Sequence, residues 1–371
     1  MSSKKAIFLT GGGARGAYQS GVLKAIAEIS PTHEIPVDII SGVSSGAINA
    51  AFVAARAEDF NLGTKKLVQI WSGLSCGQIF EVNNLSLLGS VSRTLFEVIF
   101  HQTPEEGQYL LDTSPLQKLL EDNIDFSAIQ KGINQGLLDS LVVTALNYET
   151  SETVAFYNTR ENIQPYSRFR YYTERSPITC KHILASTAIP LFFPSVQIEG
   201  IHYGDGSLRN NYPLRSTISM GADKIIIVNV NQEHHPQKKI QIKNGGVSFG
   251  KMMGMIFNSM FLDNIELDVE TLGYINNNMG SVSHQITDKL PYRKVDYLYL
   301  RPSVDLGYKS LEKIKALPKM LRYLIGGFGS KKQSSDLISY LMFEAEYCQE
   351  LIALGYQDTM ARKEEVIAFL I

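Results

Sequence analysis

The stretches KAIFLTGGGARGAY (residues 5–18) and VDIISGVSSGAINAAF (residues 37–52) each join a short apolar run to a helix-like sequence through closely spaced glycines. Lys5–Thr10 has the pattern of a short buried strand, and the apolar spacing over Ala14–Ile29 suits a helix. Val37–Ser41 and Gly46–Arg56 repeat this order as a second strand and a second helix. Strands that alternate with helices through short loops predict an α/β protein whose parallel sheet is covered by helices.

Further strands and helices are expected along the rest of the chain. The runs LVVTAL (residues 141–146) and IIIVNV (residues 225–230) are almost uniformly apolar, which is typical of strands with helices on both faces. The predicted strands are Leu141–Leu146, Val154–Tyr157, Lys224–Asn231 and Val295–Arg301, and the predicted helices are Thr64–Ser72, Pro115–Asp122, Leu214–Met220 and Ser335–Leu354. The last of these carries one apolar stripe and ends before Gly355, so we expect it to dock on the rest of the protein.

The composition limits the classes of protein to which the chain can belong. Its 371 residues are 44% hydrophobic and 19% charged, which is enough apolar material for a buried core and excludes a mainly disordered protein. With 35 Lys and Arg against 37 Asp and Glu, the net charge is −2, and there is no long run of like charge, so we expect no nucleic-acid partner. Cys76, Cys180 and Cys348 lack the spacing of a zinc site, so no metal is expected.

No part of the sequence has the pattern of a membrane-crossing segment. The apolar run Ala6–Leu9 is too short for the core of a secretory signal peptide, and the apolar region Ser86–Phe100 is interrupted by Arg93 and Glu97. We therefore expect a cytoplasmic protein, or one that binds a membrane surface peripherally.

The polar stretch Gln232–Ser248 is the best candidate for an exposed loop or a domain boundary, because it holds two His, a Pro and two Gly. We expect a catalytic core over residues 1–231. Residues 232–371 would form a mostly helical C-terminal extension, with one strand near residues 295–301, packed on the core as part of the same domain.

The glycine-rich loop after the first strand is open to three interpretations. Its glycines leave several backbone N–H groups facing outward at the start of a helix, a place that favours negative charge. The loop fits the Gly-x-Gly-x-x-Gly fingerprint of dinucleotide-binding proteins, a purely structural turn, or an oxyanion hole. It does not fit a phosphate-binding P-loop, since no Gly-Lys-Ser/Thr follows. Its residues are Gly11, Gly12, Gly13, Ala14, Arg15 and Gly16.

The second glycine turn favours acyl-transfer chemistry. Gly42-x-Ser44-x-Gly46 lies between a predicted strand and a predicted helix, the setting in which a serine is held on a tight bend with its hydroxyl exposed. Ser44 is therefore the candidate nucleophile, although Gly42 and Gly46 could also be packing glycines of an ordinary turn. A dinucleotide site would need an acidic residue at the end of the second strand, whereas Asp38 lies at its start.

A serine nucleophile needs a base, and the sequence alone leaves its identity open. Asp205 lies between Gly204 and Gly206, in a loop that can bring a carboxylate close to other backbone, but an Asp that only caps a turn has the same pattern. His202 has the pattern of a partly buried strand residue. An ordinary Ser-His-Asp triad would instead draw its imidazole from the later histidines, His234, His235 and His284.

Four ordered blocks together resemble the patatin-like phospholipase family. The resemblance extends over about residues 5–231, and the tail near residues 355–358 is similar to bacterial members. The blocks are Gly11–Tyr18, the Gly42-x-Ser44-x-Gly46 turn, Ala185–Pro190 with Phe193-Pro194, and Asp205-Gly206.

This resemblance implies a three-layer α/β/α fold and a lipid acyl hydrolase of the phospholipase A or lysophospholipase type that needs no cofactor. It also implies that Ser44 and Asp205 form a catalytic dyad acting through an acyl-enzyme, that the Gly11–Gly16 loop is the oxyanion hole, and that phospholipid or lysophospholipid is the substrate. Two positions depart from the family pattern: Thr10 replaces a frequent Gly or Asp, and Ser207 replaces Gly or Ala. The alternatives are a Ser-His-Asp esterase, a non-catalytic lipid-binding module of the same fold, and a nicotinamide-dependent oxidoreductase.

The stretch Met252–Leu262 is rich in Met and Phe. Such a segment suits an acyl groove or a membrane-touching lid as well as a buried helix, because methionine makes adaptable apolar surface. Its apolar residues point to nearly every side, and we favour a core helix.

Overall fold

The computed structural model of the chain describes residues 3–82, 109–233, 249–281, 292–319, 321–322 and 335–371. Within these ranges, ten strands form one sheet and two short strands form a separate antiparallel pair. The strands are β1 (Lys5–Leu9), β2 (Ile39–Val43), β3 (Glu81–Val82), β4 (Leu111–Asp112), β5 (Ser140–Asn147), β6 (Glu152–Thr159), β7 (Ser167–Arg168), β8 (Tyr171–Arg175), β9 (Val196–Ile198), β10 (Ile201–Asp205), β11 (Lys224–Val228) and β12 (Asp296–Leu300).

Helices occupy much of the remaining described chain. They are α1 (Gly16–Ile29), α2 (Ser45–Ala54), α3 (Phe60–Ser72), α4 (Ser114–Asn123), α5 (Phe126–Gln135), α6 (Cys180–Thr187), α7 (Arg215–Ser219), α8 (Phe249–Asn258), α9 (Asn264–Gly280), α10 (Leu306–Glu312), α11 (Ser335–Leu341), α12 (Ala345–Ala361) and α13 (Lys363–Leu370). A π-helical stretch, Ser259–Asp263, joins α8 to α9.

The central sheet has the strand order β12-β11-β1-β2-β5-β6-β8-β7. Its first five strands are parallel to one another, whereas β6 runs antiparallel to β5. The predicted α/β class with a mainly parallel sheet is thereby confirmed. The strand at residues 296–300 is the outermost strand of this same sheet.

Both faces of the sheet are covered, as the uniformly apolar strands predicted. Alternate residues of each central strand enter opposite cores: Ile7 packs in the larger core with α1, α2 and α3, and Phe8 packs in the smaller core with α7 and α9. The same alternation places Val143 and Val142 of β5 on opposite faces. The result is three layers: helices, sheet, helices.

The C-terminal helices pack against α1, the helix that follows the glycine-rich loop. Helix α12 crosses α1 so closely that a Cβ at Gly355 would overlap the carbonyl of Tyr18, and a Cβ at Gly21 would overlap the carbonyl of Ile352. The predicted single helix Ser335–Leu354 is wrong in two respects: it is broken at residues 342–344, and its second part continues through Gly355 to Ala361. Gly355 is a contact residue in the helix interior, and this close approach outweighs its low helix propensity.

The Met-rich segment also differs from the expectation. Met252, Met255 and Ile256 on α8 are 46%, 59% and 50% exposed, so the preference for a core helix is wrong for these side chains. Met260 alone among the described Met and Phe side chains of the segment packs partly against the larger core. None of the described helices combines the length and hydropathy needed to cross a bilayer. Most of the predicted loop Gln232–Ser248 and all of Ser86–Phe100 lie outside the described residues.

Candidate active site

Ser44 lies on a strained turn between β2 and α2. Its φ and ψ are 55° and −128°, a conformation that L-residues rarely adopt and that is typical of serines held on a sharp strand-to-helix bend. The bend requires small neighbours, because a Cβ at Gly42 would overlap the backbone of Gly46, and a Cβ at Gly46 would overlap the carbonyls of β1 and of Thr10. Both glycines of the predicted turn are therefore explained by close backbone approach.

Strand β5 brings Asp205 to the same place. Strand β2 pairs with the first half of β5 in parallel, so that Val43 lies opposite Thr144. Strand β10 pairs with the second half of the same edge, but antiparallel, so that Asp205 lies opposite Ala145. The two strands therefore run toward each other along one edge of β5 and end at its neighbouring residues Thr144 and Ala145. Ser44, which follows β2, and Asp205, the last residue of β10, lie where the two strands meet.

The Asp205 carboxyl is fully buried, and it keeps one oxygen available. Its Oδ1 accepts a hydrogen bond of 2.8 Å from the backbone N–H of Ser207, while Oδ2 has no hydrogen-bond partner. Burial raises the pKa of Asp205 to about 6, and the nearby hydroxyls of Ser44 and Ser207 oppose this rise. A carboxylate with this pKa is a stronger base than an exposed Asp.

The segment Ala185–Pro190 holds both Ser44 and Asp205 through hydrogen bonds to their backbone N–H groups. The hydroxyl of Ser186 accepts a hydrogen bond of 2.9 Å from the N–H of Ser44 and donates one of 2.6 Å to the carbonyl of Thr144. Two residues later, the carbonyl of Ala188 accepts a hydrogen bond of 2.9 Å from the N–H of Asp205. In the sequence, Ala185–Pro190 was only one of the blocks that resemble the family. In the structure, its hydrogen bonds hold the backbones of the candidate nucleophile and the candidate base.

The glycine-rich loop closes one side of the site. Residues Gly13–Arg15 form one turn of 3₁₀ helix, with Gly13 in the left-handed region at φ 56° and facing the cavity beside Ser44. Within the described residues, the N–H groups of Gly12 and Gly13 have no hydrogen-bond acceptor. Gly11 lies beside a smaller cavity, Ala14 is fully buried in the larger core, and Gly16 begins α1.

Arg15 points away from the serine. Its guanidinium is buried, donates to Ser339 Oγ at 2.8 Å and to Asp336 Oδ1 at 3.1 Å, and lies 4.6 Å from the ring centre of Tyr340. All three partners belong to α11. Arg15 therefore attaches the glycine loop to the C-terminal helices, a role that the sequence could not show because the partners lie more than 320 residues away.

A buried polar chain holds the loop on α1, α2 and α3. Trp71 Nε1 donates to Asn49 Oδ1 at 2.8 Å, and Asn49 Nδ2 donates to Gly16 O and to Gln19 Oε1, both at 3.0 Å. Gln19 Nε2 then donates to the carbonyl of Thr10 at 2.8 Å. Sequence reasoning missed these residues, although a Gln and an Asn inside apolar helices are a usable signal because buried polar groups need partners.

An apolar cavity opens beside Ser44. Its walls come from α2, α3, α4 and the residues that follow α6, and the space between them is about 630 Å³ with the open mouth included. The aromatic rings of Trp71 and Phe343 stack at 6.4 Å on one side. The apolar side chains that line the cavity are Ile48, Phe52, Leu67, Ile70, Trp71, Leu74, Ile79, Leu116, Leu119, Leu120, Ile124, Ile189, Phe193 and Phe343.

The sequence profile of the family described as "Patatin-like phospholipase" matches residues 7–218, which is more than half of the chain. This chain belongs to the patatin-like phospholipase family. The recognised blocks all lie inside the matched region.

Individual relatives are more distant. A lysophospholipase (nte1) of Aspergillus terreus is 50% identical over 52 residues, a match that covers 14% of this chain and 3% of the length of that protein. VipD from Legionella pneumophila is similar in structure, with 13% identity, a TM-score of 0.38, and coverage of 98% of this chain and 67% of VipD. Human GIVD cytosolic phospholipase A2 gives 12% identity, a TM-score of 0.37, and coverage of 98% and 60%.

This patatin-family chain accommodates its two departures from the family pattern in different ways. Thr10 is buried, and both its hydroxyl and its backbone N–H donate to the carbonyl of Val228, at 3.3 and 3.2 Å, so it continues the pairing of β1 with β11. Ser207 donates its N–H to Asp205, and its own hydroxyl oxygen is buried with no fully formed hydrogen bond. In the base loop, a Cβ at Gly206 would overlap the carbonyl of Thr144, and one at Gly204 would overlap the ring of Tyr148.

The described histidines lie away from the serine. His182 is enclosed in the first turn of α6, where its Nδ1 lies 2.9 Å from Thr179 Oγ1 and burial lowers its pKa to about 4. His202 is exposed on β10, contrary to the partly buried position expected, and His33 is exposed too. His234, His235 and His284 lie outside the described residues. No group of three or more His, Cys, Asp or Glu in the described ranges could hold a metal ion.

Proposed function

We propose that the protein is a serine lipid acyl hydrolase of the phospholipase A or lysophospholipase type. In this proposal Ser44 is the nucleophile, Asp205 the general base, and the N–H groups of Gly12 and Gly13 the main oxyanion donors. The observation that carries the proposal is the convergence of β2 and β10 on β5, which places a serine on a strained bend beside a buried carboxyl at the mouth of an apolar cavity.

The first half of the reaction forms an acyl-enzyme. Asp205 removes the proton of the Ser44 hydroxyl as the oxygen attacks the ester carbonyl carbon, and the loop N–H groups stabilise the negative charge that develops on the carbonyl oxygen. The carbon–oxygen bond to the alcohol of the lipid then breaks, and the protonated Asp205 returns its proton to that leaving alcohol.

The second half releases the fatty acid. A water molecule takes the place of the alcohol, and Asp205 removes its proton as it attacks the acyl carbon. Breaking the bond to Ser44 restores the hydroxyl, and the free acid leaves. The pKa of Asp205, about 6, suits both directions of proton transfer near neutral pH.

The cavity favours an acyl chain as the group that is bound. Apolar side chains make up nearly all of its wall, and the few polar contributors lie at Ser44, Ser45, Asn123 and Thr187. Burial of methylenes stabilises a bound chain by about 0.8 kcal/mol for each CH₂ group. A hydrocarbon tail of a phospholipid or lysophospholipid therefore fits this wall better than a polar acyl group.

We further propose that the protein meets its substrate at a membrane surface. Helix α8 carries exposed Met252, Met255 and Ile256, which give it an apolar outer face. Replacing Met255 and Ile256 with serine should reduce sedimentation with phosphatidylcholine vesicles while hydrolysis of a soluble short-chain ester continues. Undiminished vesicle binding by this variant would remove α8 as the contact.

Covalent labelling with a fluorophosphonate tests the proposed reaction. The wild-type protein should be labelled at Ser44 and should release fatty acid from lysophosphatidylcholine. Ser44→Ala should lose both properties. Asp205→Asn should hydrolyse at least about 10²-fold more slowly. Ser45→Ala is a matched control, because its hydroxyl also lies beside the cavity but has no hydrogen-bond partner.

The same experiment separates the alternatives. A non-catalytic lipid-binding module would remain unlabelled in the wild-type form. Both a Ser-Asp dyad and a Ser-His-Asp triad would lose labelling after Asp205→Asn. Only the triad would also lose it on replacement of a histidine such as His234, His235 or His284.

A further inference from the structure

A second cleft lies on the β8 side of the sheet, and four arginines contribute to it. We call it the arginine cleft and define it by Arg168, Arg170, Arg209, Arg215 and Asn210. It is larger than the serine cavity, with about 1280 Å³ of space when its open side is included. Unlike the serine cavity, it has walls that combine polar and aromatic side chains, and no Asp or Glu is among the described residues that line it.

The four positive charges are not neutralised by the protein. No carboxylate of the described chain lies within ion-pair distance of any of the four guanidinium groups, although other arginines, such as Arg293 and Arg362, have such partners. Asp268 influences Arg215 only through space. Four uncompensated charges in one cleft are notable in a chain whose net charge is −2, and a cleft of one sign concentrates ions of the opposite sign.

Aromatic rings orient these arginines. The guanidinium carbon of Arg215 lies 4.5 Å from the ring centre of Tyr212 and 5.4 Å from that of Tyr171, and Arg168 lies 5.2 Å from the ring of Tyr166. A guanidinium held by a ring still has free N–H donors at its edge. Arg168 and Arg209 each use one N–H donor on a backbone carbonyl, that of Ser167 at 3.5 Å and that of Ser151 at 3.2 Å. The remaining planar donors suit phosphate oxygens, which arginine binds in a two-pronged way.

Two further features indicate a built site. Asn210 is 4% exposed, and its Nδ2 is a buried donor with no hydrogen-bond partner. Arg170 has φ 56° at the tip of the β7–β8 turn, where its carbonyl accepts a hydrogen bond of 3.0 Å from the N–H of Thr153. A left-handed arginine is an unfavourable choice for a simple turn, and here the turn places its side chain on the rim of the cleft.

From these observations we infer that the arginine cleft is a binding site for a phosphate-bearing anion, distinct from the serine cavity. The ligand carries a phosphomonoester or a pyrophosphate group, either on a soluble molecule or on the headgroup of a lipid. Arg209 and Arg215, both half-buried, bind the phosphate oxygens from inside the cleft, and Arg168 and Arg170 close over them from the rim.

The cleft adjoins the candidate catalytic base. The 3₁₀ turn Gly206–Arg209 begins directly after Asp205 and ends at an arginine of the cleft, and Thr153 Oγ1 donates to the carbonyl of Arg209 at 3.1 Å. A ligand on Arg209 therefore contacts the far end of the loop that positions Asp205. The binding site itself does not depend on hydrolysis and is tested without it.

Calorimetric titration with inorganic pyrophosphate tests the soluble ligand. The full-length wild-type protein should bind one equivalent, and the double variant Arg209→Gln with Arg215→Gln should lose at least about tenfold in affinity, since each charge-assisted hydrogen bond contributes substantially. Lys65→Gln with Lys66→Gln is the matched control, because it removes the same charge from exposed positions on α3 and should bind pyrophosphate as the wild type does.

Vesicle flotation tests the lipid ligand. Phosphatidylcholine vesicles that contain phosphatidic acid carry a phosphomonoester, and vesicles with phosphatidylglycerol at the same surface charge carry only a diester. Arginine-dependent binding to the first and not to the second assigns the cleft to a lipid headgroup. Pyrophosphate binding without arginine-dependent vesicle binding assigns it to a soluble phosphate compound.

Three results would overturn the inference: no arginine-dependent binding in either assay, equal weakening by the arginine and the lysine variants, or arginine-dependent binding that is equal for both kinds of vesicle. Should the double variant unfold, Arg168→Gln provides the same test from the exposed β7 strand. Its melting temperature should match that of the wild type while its affinity for pyrophosphate falls.

Discussion

Replacing Asp205 with asparagine should stabilise the folded protein at neutral pH while it removes hydrolysis. The carboxyl is fully buried, its Oδ2 has no partner, and burial raises its pKa to about 6. An asparagine has nearly the same shape, and its side-chain oxygen can still accept the hydrogen bond from the N–H of Ser207. The substitution therefore removes the cost of a buried charge and leaves the packing in place.

The magnitude follows from the change in pKa on folding. A rise from 3.8 in the unfolded chain to about 6 in the fold corresponds to roughly 3 kcal/mol, since one pKa unit equals about 1.4 kcal/mol. The raised pKa means that the fold favours the protonated carboxyl, so the wild type is most stable below pH 3.8 and loses stability as the pH rises through about 6. Asparagine does not ionise, so the variant should gain up to roughly 3 kcal/mol over the wild type above that pH.

Urea unfolding at a series of pH values measures this difference. The free energies of unfolding of the wild type and of Asp205→Asn should coincide near pH 4 and diverge steadily toward pH 7. Asp268→Asn is the matched control, because burial raises the pKa of Asp268 to about 6 as well, and its Oδ2 accepts from the N–H of Leu214 at 2.8 Å. The control should show a similar pH-dependent gain and should keep hydrolysing lysophosphatidylcholine.

Two results would refute this reasoning. If the free energy of unfolding of Asp205→Asn falls below that of the wild type at pH 7, the carboxylate stabilises the fold, and its burial does not carry the cost inferred from the raised pKa. A constant difference at every pH would mean that ionisation of Asp205 is not the cause.

Three other substitutions test separate parts of the site. Ser207→Ala removes a hydroxyl that lowers the pKa of Asp205, so the acid limb of the pH–rate profile should move to higher pH, and an unchanged or downward shift would contradict this. Gly42→Ala should reduce the free energy of unfolding by several kcal/mol because its Cβ overlaps the backbone of Gly46, whereas Gly77→Ala, which faces open space, should unfold like the wild type in urea. Leu120→Trp should fill the cavity and reduce hydrolysis of long-chain nitrophenyl esters about tenfold more than that of the butyrate ester; equal losses would show that the chain binds elsewhere.

The local sequence was sufficient for the serine turn because the constraint itself is local. Gly42 and Gly46 approach backbone within a few residues or on the adjacent strand, and a Gly-x-Ser-x-Gly pattern between a strand and a helix records that requirement directly. Patterns of this kind can be interpreted without knowing the rest of the fold. Gly13 is constrained locally by its positive φ at the start of the 3₁₀ turn, and also from afar, because a Cβ there would overlap the carbonyl of Tyr340.

The placement of Asp205 could not be derived in this way. It depends on β10 pairing antiparallel with the half of β5 that β2 leaves free, a register between distant parts of the chain. Periodicity predicts a strand but not its partner. The flanking glycines therefore made Asp205 only one candidate base, and the family resemblance was needed to select it. Arg15 shows the same limit: the sequence placed it in the candidate oxyanion loop, while its side-chain partners Asp336 and Ser339 lie on a remote helix that local patterns do not reveal.

Strand β5 explains why a strained serine and a buried carboxyl can coexist in one stable fold. The carbonyl of Thr144 accepts the hydrogen bond of Ser186, which in turn binds the N–H of Ser44, and Ala145 pairs with Asp205. Each unfavourable group is thus held by backbone that is already ordered in the centre of the sheet, not by a flexible loop. Strain at Ser44 and desolvation at Asp205 are then offset by the stability of the whole sheet, and the two side chains keep the high-energy positions that an attacking hydroxyl and its base require.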